Sequence, residues 1–423
     1  MSKYNIIQIG SFDVENFGDL LFPIVLEYEL KKRINIDNIY LFSPNGGSMP
    51  FYKRHVYSIS DLDLFCRTHK VDGIVLGGGD IIRLDQNVTA AYQKKFFSSF
   101  SMWQYPILIA QKYNIPIIFN CPGVPFNLEP YKHIISSTLE TCPYISVRDK
   151  ESRKNLHSNP SKIKIVIDSI NLIDRIYPKK DLELIFKKIK KQNHIEDKFI
   201  ILQINIAQIE NNDFINELIL LINTINNSFN IQVVLSPIGY VHSDHIALQQ
   251  IYTKISQKNA IIKEKMSPKS MLALFSHSSG FIGTSLHGLI TSNIYHIPIL
   301  AINISKYSKV KGYMQLCGLE NRLVEETPKI TSTFQKNFFS KTDYKKLNYE
   351  LKKLSKHFDN IAKIIKERIV VDNPHQIINL LENFYDFSVI DNDTINQYNA
   401  IVNSGFWKTT ESLRRFLSKL HNK

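Results

Sequence analysis

The sequence predicts an α/β protein built of two doubly wound, Rossmann-like domains facing a cleft, with a helical C-terminal extension. Three observations predict this. Short apolar runs alternate with helix-spaced stretches five or six times before about residue 170, and the alternation resumes at residue 199. Residues 280–302 hold one complete unit: an apolar run, the turn Thr284-Ser285, then Leu286, Leu289, Ile290 and Ile294 at helical spacing, then Pro298 and a second apolar run. Strand, helix and strand in that order form the right-handed βαβ crossover of a parallel sheet. Between the two stretches of alternation, residues 174–198 are polar, lysine-rich and opened by Pro178. The expected domains are therefore 1–175, 176–330 and a charged helical extension at 331–423.

In the first domain, residues 5–10 form a strand, 11–19 a polar loop and 20–33 a helix with Leu21, Ile24, Val25 and Tyr28 on one face. A strand at 39–42 leads into the turn Pro44-Asn45-Gly46-Gly47, and 60–69 is a short amphipathic helix. The buried strand 73–76 ends in Gly77-Gly78-Gly79-Asp80, and 89–113 supplies a helix or helix pair. Strands follow at 115–120, 144–147 and 163–167, with helices at 131–141 and 150–156 between them. Arg148-Asp149 and Asp168-Ser169 close the last two strands.

In the second domain, strands are expected at 199–206, 232–235, 260–263, 280–283 and 299–304. Ser267-Pro268 is a helix start, with serine at the N-cap and proline at the first helical position. Residues 343–368 are helical and charged, and can cross back onto the first domain.

Composition bounds the partners. The 423 residues are 43% hydrophobic and 22% charged, as in a soluble globular protein. Fifty-two Lys and Arg against 39 acidic residues give a net charge of +13, which favours anionic partners. No dense basic tract is interleaved with aromatics, so nucleic acid is not expected. The N-terminus runs straight into a strand without a signal-peptide core, and no apolar run reaches the roughly 20 residues of a membrane span. Cys66, Cys121, Cys142 and Cys317 are scattered, which suits a reducing cytoplasm and argues against a zinc site.

Ligands of parallel sheets sit at the carboxyl ends of strands, which singles out several residues. His287 lies in the first turn of the helix after 280–283, beside backbone N–H groups that lack intrahelical partners. It is the candidate for proton transfer; the alternative is local capping or packing. Ser285, Leu286 and Gly288 surround it. Asp19, after Asn16 and Gly18 at a helix start, can orient a hydroxyl, act as base, or serve as an N-cap. Gly78 and Gly79 allow close approach of backbone to a ligand. Arg148 can fork onto a carboxylate or phosphate, or pair with Asp149 or Glu151. Lys309 can steer an anion or be merely solvated. The run His242-Ser243-Asp244-His245 has two histidines but no clear third ligand, so no metal is expected.

Taken in order, these pieces resemble the polysaccharide pyruvyltransferase family. Asn16-Phe17-Gly18-Asp19, the glycine run Gly77-Gly78-Gly79 and the loop Gly123-Val124-Pro125-Phe126 match its motifs. So do Ser146-Val147-Arg148-Asp149 with Ser152, then Asp168, His287-Gly288, and Lys309 with Gly312. The resemblance runs from about residue 9 to 320. It implies a glycosyltransferase-B-like fold and transfer of pyruvate from phosphoenolpyruvate, as donor substrate with no further cofactor, onto two hydroxyls of a sugar. The product would be a cyclic ketal on a cell-surface polysaccharide or its lipid-linked precursor. The chain departs from the family pattern at Ser285 and Asn205, where many members carry arginine. A nucleotide-sugar glycosyltransferase and a non-catalytic glycan-binding relative are the other readings. Finally, Phe406, Leu413, Phe416, Leu417 and Leu420 can share a helix face flanked by basic residues. That pattern suits either peripheral contact with the inner face of the membrane or packing on the first domain.

Overall fold

The computed structural model describes residues 2–83, 102–129, 132–205, 212–240, 243–256 and 258–371. The first of two six-stranded sheets contains β1 (Tyr4–Ile9), β2 (Ile36–Ser43), β3 (Gly47–Met49), β4 (Arg54–Ser58), β5 (Gly73–Leu76) and β6 (Ile117–Phe119), in the order β3-β4-β2-β1-β5-β6. All its pairings are parallel except β3 with β4. A parallel pair, β7 (Ile145–Val147) and β8 (Ile163–Ile165), adjoins β6 through a bridge between Ile118 and Tyr144.

The second sheet contains β9 (Phe199–Gln203), β10 (Gln232–Leu235), β11 (Ala260–Ile261), β12 (Gly280–Gly283), β13 (Ile299–Ile302) and β14 (Leu323–Val324). Its order is β11-β10-β9-β12-β13-β14, parallel throughout. Parallel strands covered on both faces are buried at every position, which is why they read as unbroken apolar runs. All residues of β5, β9 and β12 are buried. Each large apolar side chain so buried stabilises the fold by roughly 1.5–3 kcal/mol. The chain is thus α/β with two doubly wound sheets, as its sequence predicts.

Several elements depart from the sequence reading. β3 and β4 were unforeseen: Arg54–Ser58, between the edge strand β3 and β2, mixes partly exposed and buried residues, so it lacks the apolar run of its neighbours. Within 89–113, residues 89–101 lie outside the described residues, and the helix that follows is Gln104–Lys112. The polar stretch 174–198 is no mere linker. It holds the helix Lys179–Gln192, which buries Leu182 and Ile189 and stacks Phe186 on the rings of Phe199 and His277.

The long helix Lys345–Glu367 returns to the first sheet. Ile365 fills the space beside Gly73. His357 is buried, with Nε2 2.9 Å from Asn120 Oδ1 and Nδ1 3.0 Å from the Tyr144 hydroxyl. Burial, and then the nearby Arg33, push its pKa down to about 3, so the imidazole is neutral. All four cysteines are free and buried. Among the described residues no helix is long and apolar enough to cross a membrane. The amphipathic segment 404–423 lies outside the described residues.

Candidate active site

The carboxyl ends of the two sheets meet, and the loops there touch directly. The backbone of Asn16, in the loop after β1, bridges Gly239 in the loop after β10. Phe17 packs edge-on against Phe275, and Lys265 pairs with Glu15 at 2.6 Å. The Asn16 side chain turns inward and accepts a hydrogen bond from the Gly18 N–H at 3.3 Å.

His287 enters this junction from the helix Leu286–Ile294. Ser285 is that helix's N-cap, its hydroxyl accepting from the Gly288 N–H at 3.3 Å. The turn is fixed from β9: Gln203 Oε1 accepts from the N–H groups of Thr284 (3.1 Å) and Ser285 (2.9 Å). Gln203 is held in turn by Asp244, whose Oδ2 also accepts from Ile238 and Gly239. Asp244 is therefore committed to hydrogen bonds within the fold; His245 stacks near Tyr240 and His242 lies outside the described residues.

The His287 ring packs on Gly18: a Cβ there would sit 1.8 Å from Nδ1. Phe22 meets the ring edge-on, with centroids 5.6 Å apart. On the other side Nε2 lies 3.8 Å from Oδ2 of the buried Asp168. Asp19 is half-buried beside the ring and does not cap a helix. The helix Phe22–Lys31 has Leu21 at its N-cap and no side-chain cap, which removes the capping reading. Burial is the main force on the Asp19 carboxyl and raises its pKa to about 6, against the pull of His287.

Gly79 faces Asp19, where a Cβ would come 3.0 Å from Oδ1. Gly78 instead receives the Phe22 ring, and its φ of 90° is strained for any other residue. Gly288 packs on Phe281 and Ile238 rather than on the cleft.

A second group of charges lies alongside. Asp80, next after the glycine run, binds both Arg148 and, at 3.0 Å, Lys309 Nζ. Arg148 and Asp80 come from the first domain, and Lys309 from the helix Ser308–Cys317 of the second. Gly123 makes room for the pair: a Cβ there would sit 2.3 Å from Asp80 Oδ1. Burial pushes the Asp80 carboxyl up, but Arg148 and Lys309 outweigh it and hold the group well below the usual carboxylate range. Arg148 Nε is also 3.5 Å from Asp149, itself the N-cap of the next helix. The arginine thus pairs across strands with Asp80 as well as with its neighbour Asp149. A small pocket beside this second group is lined by Arg148, Asp149, Ile167, Asp168, Leu286, Ile290, Lys309 and Tyr313.

The structure therefore brings together His287, Asp19, Gly18, Gly79, Arg148, Leu286 and Lys309 from both domains. Asp80 and Asp168 complete the cluster. Asp80 was visible as the residue after the glycine run and Asp168 as a strand end matching the motif pattern; Gln203 carries no local signal, and Asp244 was visible only within the run His242–His245. At the two departures from the motif pattern, Ser285 is engaged as a cap and Asn205 presents a buried Oδ1 without a hydrogen-bond partner.

Solved structures define the class. The UDP-GlcNAc 2-epimerase of Methanocaldococcus jannaschii is 13% identical, with TM-score 0.58 over 86% of this chain and 100% of that one. That of Neisseria meningitidis bound to UDP-GlcNAc is 14% identical, with TM-score 0.53 over 87% and 99%. That of Rickettsia bellii is 12% identical, with TM-score 0.55 over 87% and 96%. At such identities the likeness is one of fold, and the fold is the two-domain, glycosyltransferase-B-like arrangement of parallel sheets. No curated protein sequence matches the chain closely. The polysaccharide pyruvyl transferase family model matches residues 16–306, and the chain belongs to that family.

Proposed function

We propose that this chain transfers the three carbons of phosphoenolpyruvate to two hydroxyls of a sugar, forming a cyclic ketal on a surface polysaccharide or its lipid-linked precursor. The observation that carries the reading is a proton-bearing pair, Asp19 and His287, beside cations supplied by both domains, Arg148 and Lys309.

The chemistry has two stages. In the first, a proton is added to the methylene carbon and a sugar hydroxyl attacks the resulting cationic carbon, losing its own proton. In the second, phosphate leaves with the electron pair of its C–O bond, and a second hydroxyl closes the ring and gives up its proton. Asp19, with a pKa of about 6, is partly protonated near neutral pH and can serve as acid. His287 takes the hydroxyl proton. Arg148 and Lys309 hold the donor's anionic groups once these displace Asp80. No arginine stands at 285 or 205, so in this chain donor anchoring falls on Arg148 and Lys309. The donor and a precursor acceptor both place the reaction in the cytoplasm.

The test is phosphate release from phosphoenolpyruvate in the presence of a galactose- or mannosamine-type acceptor. His287→Ala should lower the rate about 100-fold or more. In a thermal-shift screen phosphoenolpyruvate should stabilise the protein and UDP should not. The reverse pattern would favour a nucleotide-sugar transferase, and sugar binding without turnover a non-catalytic relative.

A further inference from the structure

We infer that Asp168 is the positioning residue for His287, holding the imidazole with Nε2–H turned inward so that Nδ1 exchanges protons with the acceptor. The inference rests on the ketal-forming reading only for what the proton is used for; the geometry stands apart from it.

His287 Nε2 and Asp168 Oδ2 face each other at 3.8 Å, and both are buried atoms with no hydrogen-bond partner. Two such atoms left unpaired would cost more than the small movement that joins them. Catalytic hydrogen bonds are commonly long before substrate arrives. Asp168 cannot turn away, because its Oδ1 already accepts from the Ile170 N–H at 2.9 Å as cap of the helix Ser169–Arg175. Capping accounts for one oxygen only; the other is left for the histidine.

The opposite edge of the ring is the working edge. The side chain keeps 14% of its surface exposed while Nε2 is buried. Gly18 packs on the ring face at Nδ1, where a Cβ would sit 1.8 Å from Nδ1 and 2.3 Å from Cγ and Cε1, which leaves the in-plane lone pair clear. The Asp19 carboxyl, next in the chain, is close enough to feel the charge of His287. Phe22 fixes the ring plane from the side, with an interplanar angle of 82°.

With the neutral ring protonated at Nε2, the lone pair lies on Nδ1. As the acceptor oxygen bonds to carbon, its O–H bond breaks and the proton passes to Nδ1. The Asp168 carboxylate meets the resulting imidazolium charge, and Nδ1–H then returns the proton to the departing phosphate.

The test uses full-length protein labelled with ¹⁵N-histidine, comparing wild type, Asp168→Asn and Gly18→Ala by long-range ¹H–¹⁵N correlation and by kinetics. Asparagine keeps an oxygen for the Ile170 N–H and presents an NH₂ group to Nε2, which forces the other tautomer. The expected result is an Nε2–H tautomer in wild type and an Nδ1–H tautomer in Asp168→Asn. The kcat of Asp168→Asn should fall about 100-fold or more with KM for phosphoenolpyruvate within a few-fold. Gly18→Ala, whose Cβ would sit 1.8 Å from Nδ1, must push the ring away and should lower kcat. Nδ1–H in wild type, or an unchanged tautomer in folded Asp168→Asn, would overturn the inference. If the tautomers behave as expected and no phosphoenolpyruvate turnover is found, the ketal-forming reading fails and the positioning role stands.

Discussion

Asp80 and Lys309 meet at 3.0 Å across the cleft, and the same carboxylate also binds Arg148. An acidic side chain thus occupies the cations that an anionic donor would need. Replacing Asp80 with Asn should raise the affinity for inorganic phosphate and phosphoenolpyruvate by about 10-fold, one charge interaction of ~1.4 kcal/mol. It should also lower the melting temperature of the free protein. Calorimetric titration beside thermal unfolding checks both; weaker phosphate binding would mean that Asp80 orients Arg148 for the donor instead.

Asp19 works against stability at neutral pH. Its carboxyl titrates at about 6 in the folded chain and at the ordinary 3.8 when unfolded. Its favourable contribution is therefore complete below pH 3.8 and lost as pH rises through 6, a swing of up to about 3 kcal/mol. Asp19→Asn should be more stable than wild type at pH 8, by a margin that shrinks towards pH 4, while losing activity. An equal or greater margin at pH 4 would contradict this.

His357 acts in the opposite sense. The unfolded imidazole takes its proton near 6.5, whereas the buried one does so only at about 3. In that window the unfolded state binds the extra proton, so stability declines as pH falls, by at most ~1.4 kcal/mol per pH unit. Denaturant unfolding between pH 7.5 and 4.5 should show a shallower decline for His357→Gln. Parallel profiles would show that this histidine does not couple the C-terminal helix to pH.

Arg33 joins the helix Phe22–Lys31 region to the returning helix, pairing with Glu29 at 2.6 Å and Asp359 at 2.7 Å. Glu29 is 1% exposed and Asp359 60%. Arg33→Ala strands a buried carboxylate and should cost about 3–5 kcal/mol, while Asp359→Ala removes an exposed partner and should cost less than about 1 kcal/mol. Chemical denaturation of both variants measures the contrast; equal losses would place the effect elsewhere.

How much of this was legible in the sequence follows from what each element must bury. β12 and the helix Leu286–Ile294 could be read almost to the residue, because a strand covered on both faces and a helix stopped before Pro298 leave strong marks. The helix Lys179–Gln192 was obscured by its lysines, although Leu182, Ile185, Phe186 and Ile189 keep a helical period. The edge strand β3 and its neighbour β4 have no apolar run to betray them.

At the site, His287, Asp19, Arg148 and Lys309 could be named as residues at strand ends. What they touch could not. The Arg148–Asp80–Lys309 bridge joins positions 68 and 229 residues apart, and that distance is closed by the topology of two sheets. Asp168 shows the same limit, since no local pattern says that its second oxygen faces a histidine more than a hundred residues on.

The central claim is tested most directly by mass spectrometry of a surface-glycan acceptor incubated with phosphoenolpyruvate and full-length protein. The account predicts a mass gain of one pyruvyl ketal per modified sugar, one phosphate released for each, and neither with His287→Ala. Modification from a nucleotide-sugar but not from phosphoenolpyruvate, or undiminished ketal formation by the histidine variant, would contradict it.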